Sequence, residues 1–162
     1  MKPASRVIAI DPGYDRVGIA VMEKNELLHS ECFIPPKGDL EIRLRDVYRR
    51  ITAVIHEYSP GSLALETLFF SKNQKTAIAV AEARGVIMLA AAENDLHLSE
   101  YSPQAVKIAV TGSGNAGKDG VIKMVEKLLT MPKKKRYDDE YDAIALALAH
   151  QASVKFFHSR GK

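Results

Sequence analysis

Three short apolar runs lie within the first 34 residues, and they constrain the fold more than any other feature of the chain. The runs span residues 6–10, 17–22 and 27–34, and most of their residues are valine, isoleucine, leucine or other apolar types. Asp11-Pro12-Gly13 follows the first run and Pro35-Pro36 follows the third, and such residues end strands in turns. Because the connections are short, the runs predict three consecutive strands in an antiparallel meander.

The hydrophobic period changes after the third run. Apolar residues recur at helical spacing over residues 39–58, with arginines among them, and this pattern predicts an amphipathic helix that ends at Pro60-Gly61. The apolar run 62–66 then predicts a short buried strand. Residues 75–94 are rich in alanine and lack proline, so they predict a closely packed helix, and residues 96–101 predict a further strand.

Helix signals dominate the last third of the chain. Ser102 is a favourable cap and Pro103 suits the first helical position, so a helix is predicted to start there. The glycine-rich residues 111–117 predict a flexible loop. After this loop, Asp119 is predicted to cap a helix that runs to Leu129.

A basic loop over residues 131–136 precedes the last predicted helix, residues 138–157, which is densely apolar on one side. The predicted order is therefore three strands, then helix, strand, helix and strand, and finally three helices. This order predicts an α/β fold with a mixed five-stranded sheet and helices on both faces. The ribonuclease-H-like fold has the same order. No internal repeat or second core is visible, so residues 1–162 are predicted to form a single domain.

The single cysteine and the shortness of the apolar segments exclude several classes of protein. One cysteine cannot form an internal disulfide, and no Cys/His cluster indicates a zinc site. We interpret Cys32, in the third apolar run, as a small core residue. No segment approaches the length of a membrane helix, and the N-terminus lacks the long apolar region of a signal peptide. We therefore expect a cytoplasmic protein with no membrane partner.

The net charge is only +3, but the basic residues are unevenly placed. Residues 72–136 hold eleven Lys/Arg against six Asp/Glu. A local basic excess with acids gathered elsewhere suits a protein that binds a polyanion and has a separate acidic centre. A solvated basic face would give the same pattern.

Four acids stand where strands or a helix could bring them together. Asp11 ends the first predicted strand, and Glu66 ends the fourth. Asp139 and Asp142 are three residues apart at the start of the last helix, so they share a face. If the first and fourth strands are neighbours in the sheet, a helix packed across their ends would gather all four carboxylates.

Clustered carboxylates repel one another and favour the binding of a cation. Oxygen ligands without histidine or cysteine favour Mg²⁺, with Mn²⁺ as an alternative, over zinc. Two such ions about 4 Å apart can activate water and stabilise the leaving oxygen in phosphodiester hydrolysis. The four acids taken together therefore predict a metal-dependent nuclease.

Each acid also has an ordinary structural interpretation. Asp11, in Asp-Pro-Gly, could simply form a turn. Glu66 could lie at an exposed strand end. The two helix acids could be there because the first turn of a helix favours negative charge, and this applies best to their neighbours Asp138 and Glu140.

Ordered motifs from about residue 6 to 151 resemble the RuvC family of resolvases, which cut four-way (Holliday) DNA junctions. The motifs are Ile10-Asp11-Pro12-Gly13, Leu65-Glu66 followed by Phe69, Lys72-Asn73, Ala83-Arg84-Gly85, Val106-Lys107, Gly117-Lys118 and Asp139-Glu140-Tyr141-Asp142-Ala143. The resemblance implies paired symmetric hydrolysis of junction strands in recombination and repair. It also implies that the four acids bind the metal ions and that Lys107 and Lys118 act near the scissile phosphate.

The resemblance further suggests which residues contact DNA. Phe69 would stack on bases at the junction centre, with Lys72, Asn73 and Arg84 nearby. A basic run before the last helix could steer the DNA backbone: Lys133, Lys134, Lys135 and Arg136. Alternatively, Phe69 is a core or dimer residue, and the basic run is a solvated loop.

The resemblance implies a homodimer on four-way junction DNA and cooperation with the branch-migration proteins RuvA and RuvB. Helix 75–94, rich in small residues, is the candidate dimer face. Three alternatives remain: a nuclease of the same fold that acts on RNA–DNA hybrids or other branched DNA, an actin-like ATPase, and a non-catalytic junction-binding protein. The ATPase needs two such domains, and the presence of all four acids argues against a non-catalytic protein.

Overall fold

The predicted strands form one mixed sheet. The computed structural model describes residues 5–67 and 74–160, with the backbone alone at 74–75 and 155–160. Its strands are β1 (Arg6–Asp11), β2 (Val17–Glu23), β3 (Glu26–Phe33), β4 (Ser62–Glu66) and β5 (His97–Tyr101). They lie in the order β3-β2-β1-β4-β5.

The strand directions follow from the lengths of the connections. β1, β2 and β3 pair antiparallel, as the short turns between them require, and this confirms the predicted meander. β4 and β5 each follow a helical crossover and extend the sheet in parallel from β1. Ile10 pairs with Leu65, so β1 and β4 are neighbours in the interior of the sheet.

The helices are divided between the two faces of the sheet. They are α1 (Leu40–Tyr58), α2 (Gln74–Glu93), α3 (Pro103–Thr111), α4 (Lys118–Leu128) and α5 (Asp138–Arg160). One core cluster joins the sheet to α1 and α2, and the other joins it to α3, α4 and α5. The predicted helices on both faces are confirmed.

The alternation of residues along β1 decides which core each side chain enters. Ile8 and Ile10 pack with α1 and α2, whereas Val7 and Ala9 pack with α5. The face toward α5 is rich in alanine, both on the strands and on the helix, so α5 lies close to the sheet. This close approach positions the start of α5 beside the ends of β1 and β4.

Three local predictions can be compared with the structure. Ser102 does cap α3, since its Oγ accepts a hydrogen bond from the backbone N–H of Ala105 at 3.1 Å. The predicted Asp119 cap is wrong, because Gly117 is the cap of α4 and the helix already begins at Lys118. Cys32 is only partly buried rather than a core residue, because it lies on the edge strand β3.

Among the described residues, no helix is long and apolar enough to cross a membrane.

Candidate active site

Two carboxylates meet at adjacent strand ends. Asp11 is the last residue of β1, and Glu66 is the last residue of β4. The pairing of Ile10 with Leu65 places both acids at the next position of neighbouring parallel strands. Ala9 and Ala64 lie in the core beneath α5, and side chains two residues apart on a strand share a face. Both acids therefore lie on the face of the sheet that α5 covers.

The first turns of α5 bring Asp139 and Asp142 to the same region, and Gly18 of β2 makes this approach possible. A Cβ atom at residue 18 would lie 1.8 Å from the carbonyl oxygen of Asp139 and 3.2 Å from Cβ of Asp11. Only glycine permits such a contact between a strand and a helix end. Sequence reasoning missed Gly18, although a glycine inside a strand is a known sign of close backbone approach.

Three of the acids and both predicted lysines line one cleft. The cleft has a volume of about 260 Å³, and α3, α4 and α5 close its sides. Its charged lining residues are Asp11, Glu66, Asp142, Lys107 and Lys118. Asp139 lies beside this cleft, with its carboxylate turned toward Arg16. The structure thus brings together the residues that the sequence predicted to act at one centre.

The acids of the cleft hold protons more tightly than free carboxylic acids. Burial, reinforced by the charges of the other three acids, raises the pKa of Asp11 from 3.8 to about 8. Burial also raises the pKa of Glu66, with a further contribution from Asp142 and an opposing one from Lys107. The pKa of Asp142 is raised by burial, which outweighs the opposing charge of Lys118. Burial in the cleft therefore disfavours the ionised form of these three acids.

Lys118 is the cation most directly engaged with these acids. Its Nζ lies 3.2 Å from Oδ2 of Asp138 and 3.5 Å from Oδ2 of Asp142. Burial alone would lower the pKa of Lys118, but the two carboxylates raise it. The lysine therefore stays charged at the rim of the cleft.

Arg16 is a second cation beside the acids, and sequence reasoning did not assign it a role. Its Nε lies 3.1 Å from Oδ2 of Asp139, and its guanidinium lies 5.4 Å from the ring centre of Tyr137. The preceding residue of the same turn, Asp15, points elsewhere and pairs with Arg43 of α1 at 2.5 Å. The turn between β1 and β2 is thus tied to both helical layers.

The donor set of the cleft suits a hard divalent cation. All its acidic ligands offer oxygen, and Mg²⁺ and Mn²⁺ prefer carboxylates and water. Burial and the charges of the neighbouring acids raise the pKa of Asp11, and a bound cation would favour its ionised form. Within the part of the chain that the structure describes, no three His, Cys, Asp or Glu side chains already converge as in a formed metal site. Asp139 and Asp142 are paired with Arg16 and Lys118, so a cation must share or displace these partners.

The residues of the basic run before α5 differ in exposure and in their ion pairs. Lys133 and Lys135 are exposed. Arg136, by contrast, has a side chain only 3% exposed, and its Nε lies 3.2 Å from Oε1 of Glu140. Lys134 is half exposed and also pairs with this carboxylate, at 2.9 Å. The guanidinium of Arg136 is therefore engaged with an internal partner, and its predicted DNA contact stays a prediction.

Glu140 was interpreted as an ordinary first-turn acid, and the structure corrects this. Its carboxylate is 4% exposed and accepts a hydrogen bond from Ser30 Oγ at 2.7 Å. With its two cationic partners, Glu140 joins the basic loop and the start of α5 to strand β3. The position of Asp139, the preceding residue, depends on this junction.

Arg84, which was predicted to contact DNA, has an acidic partner inside the protein. Its guanidinium forms an ion pair with Glu100 of β5, and its side chain is 15% exposed. It also donates to the sulfur of Met88 at 3.3 Å. These contacts give Arg84 a role in attaching α2 to the sheet edge. Three other predicted DNA contacts, Phe69, Lys72 and Asn73, lie outside the described residues.

Another cavity, larger than the acidic cleft, lies elsewhere in the molecule. It has a volume of about 600 Å³ and lies between the end of α4 and the basic loop, with Leu129, Met131 and Lys133 among its lining residues. It contains none of the four predicted acids. We assign the chemistry to the smaller cleft, because the acids and the two lysines converge there.

Comparison with known proteins agrees with this geometry. The family described as crossover junction endodeoxyribonuclease RuvC matches residues 7–150. A protein of that name from Thermosipho melanesiensis is 43% identical over 156 residues, which cover 93% of this chain and 99% of the relative. One from Brachyspira hyodysenteriae is 42% identical over 159 residues and covers 93% of this chain and 96% of the relative.

Solved structures show the same relationship. Thermus thermophilus RuvC, solved in complex with a Holliday junction substrate, has a TM-score of 0.86 and 30% identity, over 94% of this chain and 96% of that one. The yeast mitochondrial Holliday junction resolvase Ydc2 matches with a TM-score of 0.71 over 99% of this chain and 83% of its own, and its 15% identity supports the fold alone. The ribonuclease-H-like fold predicted from the order of elements is confirmed, and the chain belongs to the RuvC family of crossover junction endodeoxyribonucleases.

Proposed function

We propose that this protein resolves four-way DNA junctions by cutting two strands symmetrically in a reaction that requires a divalent metal ion. The observation that carries the proposal is the meeting of Asp11, Glu66 and Asp142 with two lysines in one cleft of a RuvC-family chain. The T. thermophilus relative was solved with a Holliday junction substrate, which supports the choice of substrate. Residues 1–162 act as a single nuclease domain in this proposal.

The four acids would hold the metal. Asp11, Glu66, Asp139 and Asp142 provide carboxylate oxygens at the ends of two strands and the start of α5. We favour two Mg²⁺ ions per site, with Mn²⁺ as a substitute. When bound, the ions supply an activated water and stabilise charge on the attacking and leaving oxygens. The protein contributes the two strand ends and the helix start that carry these carboxylates.

Lys107 and Lys118 would act on the DNA rather than on the metal. Both line the acidic cleft, and they come from different helices. An ammonium group placed beside a scissile phosphate stabilises the charge that develops there in the transition state. Lys118 is also the first residue of α4, where backbone N–H groups favour an anion.

The exposed lysines of the basic run, Lys133 and Lys135, would hold the DNA backbone next to the cleft. Phe69, Lys72 and Asn73 are proposed as DNA contacts on the family resemblance. Arg84, Lys134 and Arg136 are also proposed as DNA contacts, and each would have to share or exchange its acidic partner in the protein.

A homodimer would supply the two sites that symmetric cutting needs. The exposed side of α2 carries Ile78 and Leu89, which are 62% and 51% exposed, with Gly85 between them. Large apolar side chains beside small ones suit a close helix–helix contact. Cooperation with RuvA and RuvB, and action in the cytoplasm, complete the proposal.

The experiment is incubation of the purified protein with a labelled immobile four-way junction, with Mg²⁺ or with EDTA. Paired symmetric nicks that require Mg²⁺ support the proposal. The Asp11→Asn variant should bind the junction without cutting it, and Asp15→Asn, in the same turn but paired with Arg43, is the matched control that should still cut. An intact junction beside a cleaved RNA–DNA hybrid would assign the fold a different substrate.

The dimer is tested separately by sedimentation. Leu89→Glu places a charge on the exposed side of α2 and should convert a dimer to a monomer, whereas Leu128→Glu, at an equally exposed apolar position on α4, should not. A wild-type protein that sediments as a monomer at all concentrations would contradict the dimer proposal.

A further inference from the structure

One carboxylate oxygen of Asp139 is buried and faces an internal partner. Its Oδ2 atom is buried, and no hydrogen bond of good geometry reaches it. The Nε atom of Arg16 is 3.1 Å away, so the guanidinium compensates the charge of this oxygen as an ion pair. The carboxylate as a whole is 23% exposed, which leaves Oδ1 as the oxygen that can face a cation.

Arg16 is itself held in place by an aromatic side chain. Its guanidinium lies 5.4 Å from the ring centre of Tyr137, a distance at which a cation is attracted to the face of a ring. Tyr137 directly precedes α5, and Arg16 directly precedes β2. The contact therefore joins the turn after Asp11 to the segment that delivers Asp139.

We propose that Arg16 is a positioning residue that orients the Asp139 carboxylate for a divalent cation by occupying its Oδ2 atom. The inference rests on the proposed function, in which Asp139 is a metal ligand. Carboxylates that bind metal ions are commonly held by such an outer partner, and loss of the partner reduces metal affinity by about 10-fold to 100-fold.

The direction in which Mn²⁺ affinity changes when Arg16 is removed shows whether Arg16 orients Asp139 or only adds positive charge to the site. Removal of a cation next to four acids makes the site more negative and should tighten the binding of Mn²⁺, by at most about fivefold for a half-exposed ion pair. Loss of orientation should weaken the binding, and by a larger factor. If Arg16 acts as proposed, its removal weakens Mn²⁺ binding despite the gain in negative charge.

The experiment measures the dissociation constant of Mn²⁺ by isothermal titration calorimetry on the full chain without DNA. Arg16→Met should weaken binding by about 10-fold, and Arg16→Lys, which keeps the charge but loses the planar guanidinium, should recover part of the loss. Asp15→Asn serves as the control in the same turn and should leave the constant unchanged. Unchanged or tighter binding by both Arg16 variants would overturn the proposal.

An Asp139→Asn variant distinguishes failure of this proposal from failure of the proposed site. If Asp139→Asn weakens Mn²⁺ binding and Arg16→Met does not, only the role of Arg16 is lost. If Asp139→Asn itself has no effect, Asp139 is not a ligand and both proposals fail at this residue. In the Asp139→Asn background, Arg16→Met should cause no further weakening, because the two residues act through one ion pair.

Discussion

Gly18 lies directly against the backbone carbonyl of Asp139, so close that a Cβ atom would be 1.8 Å from the oxygen. At this point, the strand that pairs with β1 and the helix that delivers two acids therefore approach through backbone atoms. No side chain separates Asp139 from the strand end at Asp11. The geometry of the acidic cleft depends on this missing side chain.

Gly18→Ala should therefore displace the start of α5. Overpacking of this kind costs about 1–3 kcal/mol of unfolding free energy, because the neighbour is backbone and cannot rotate away. Urea unfolding should show this loss, and calorimetry should show weaker Mn²⁺ binding. Gly120→Ala, where the nearest atom would be 4.0 Å away within α4, is the control and should be neutral or stabilising by up to about 1 kcal/mol. Equal stability of the two variants would refute the close contact.

The metal-free protein should lose stability as the pH rises from about 4 to 8. The pKa of Asp11 is about 8 in the folded protein, against the ordinary value of 3.8 in the unfolded chain. Between these two values the unfolded chain releases a proton that the folded protein retains. Asp11→Asn removes the contribution of this residue and should be more stable than the wild type at pH 8 in EDTA. Urea unfolding between pH 5 and 8.5 measures the slope. Asp119→Asn, on the exposed first turn of α4, should keep the wild-type slope.

His150 should act in the opposite direction at lower pH. This histidine is buried, and its ring nitrogens lie 3.1 Å from Ser62 Oγ and 3.0 Å from the Tyr101 hydroxyl. Burial, with a smaller effect of His97, lowers the pKa of His150 from 6.5 to about 4. Between pH 6.5 and 4 the unfolded chain thus binds a proton that the folded protein does not bind. The free energy of unfolding therefore falls as the pH falls through this range.

The His150→Gln variant tests this effect, since its amide stays neutral. Its unfolding free energy, relative to that of the wild type, should improve as the pH is lowered from 7 to 4.5. The comparison uses the difference between the two proteins, so the titration of the cleft acids cancels. A difference that does not change with pH would mean that His150 is protonated in the folded state.

Replacement of Glu140 by glutamine should destabilise the protein by about 3–5 kcal/mol, because the buried guanidinium of Arg136 then lacks its counter-ion. Lys134→Met removes the other cationic partner, which is 47% exposed, and should cost less than about 1 kcal/mol. Thermal unfolding of both variants provides the comparison. Similar melting temperatures would show that the Glu140–Arg136 pair contributes no more than a surface ion pair.

The two acids that contact Lys118 should differ sharply in importance. Asp142 lines the acidic cleft, whereas Asp138 is 61% exposed and is not among the residues that line it. Asp142→Asn should reduce junction cleavage by at least about a hundredfold, as expected for loss of a group that stabilises the transition state. Asp138→Asn should stay within about fivefold of the wild type. Single-turnover cleavage with Mg²⁺ measures both rates, and equal losses would contradict the assignment.

The sheet and the acids at its strand ends could be predicted because their signals are local. Asp11 and Glu66 each end an apolar run, and the short links between the first runs leave few topologies. The resemblance to a known family then supplied the two lysines. Their position at the cleft agrees with that expectation, since both line it with the acids.

The partners of the charged residues could not be predicted, because they depend on contacts between elements distant in sequence. Arg84 meets Glu100 of a neighbouring strand, and Glu140 meets Ser30 across 110 residues. An acid in the first turn of a helix is common on exposed surfaces, so nothing in the sequence marked Glu140 as buried. The cap of α4 was misplaced because Gly117 and Asp119 are both plausible caps, and only the backbone decides between them.

The dependence of the cleft on α5 also governs when the protein becomes able to act during its synthesis. Asp11 and Glu66 leave the ribosome early, but Asp139 and Asp142 are near the other end of the chain and must dock through Gly18. A nascent chain that has completed the sheet therefore carries only half of its acids. On the proposed assignment of the acids, the cutting centre therefore assembles only after the start of α5 has been synthesised and has docked on the sheet.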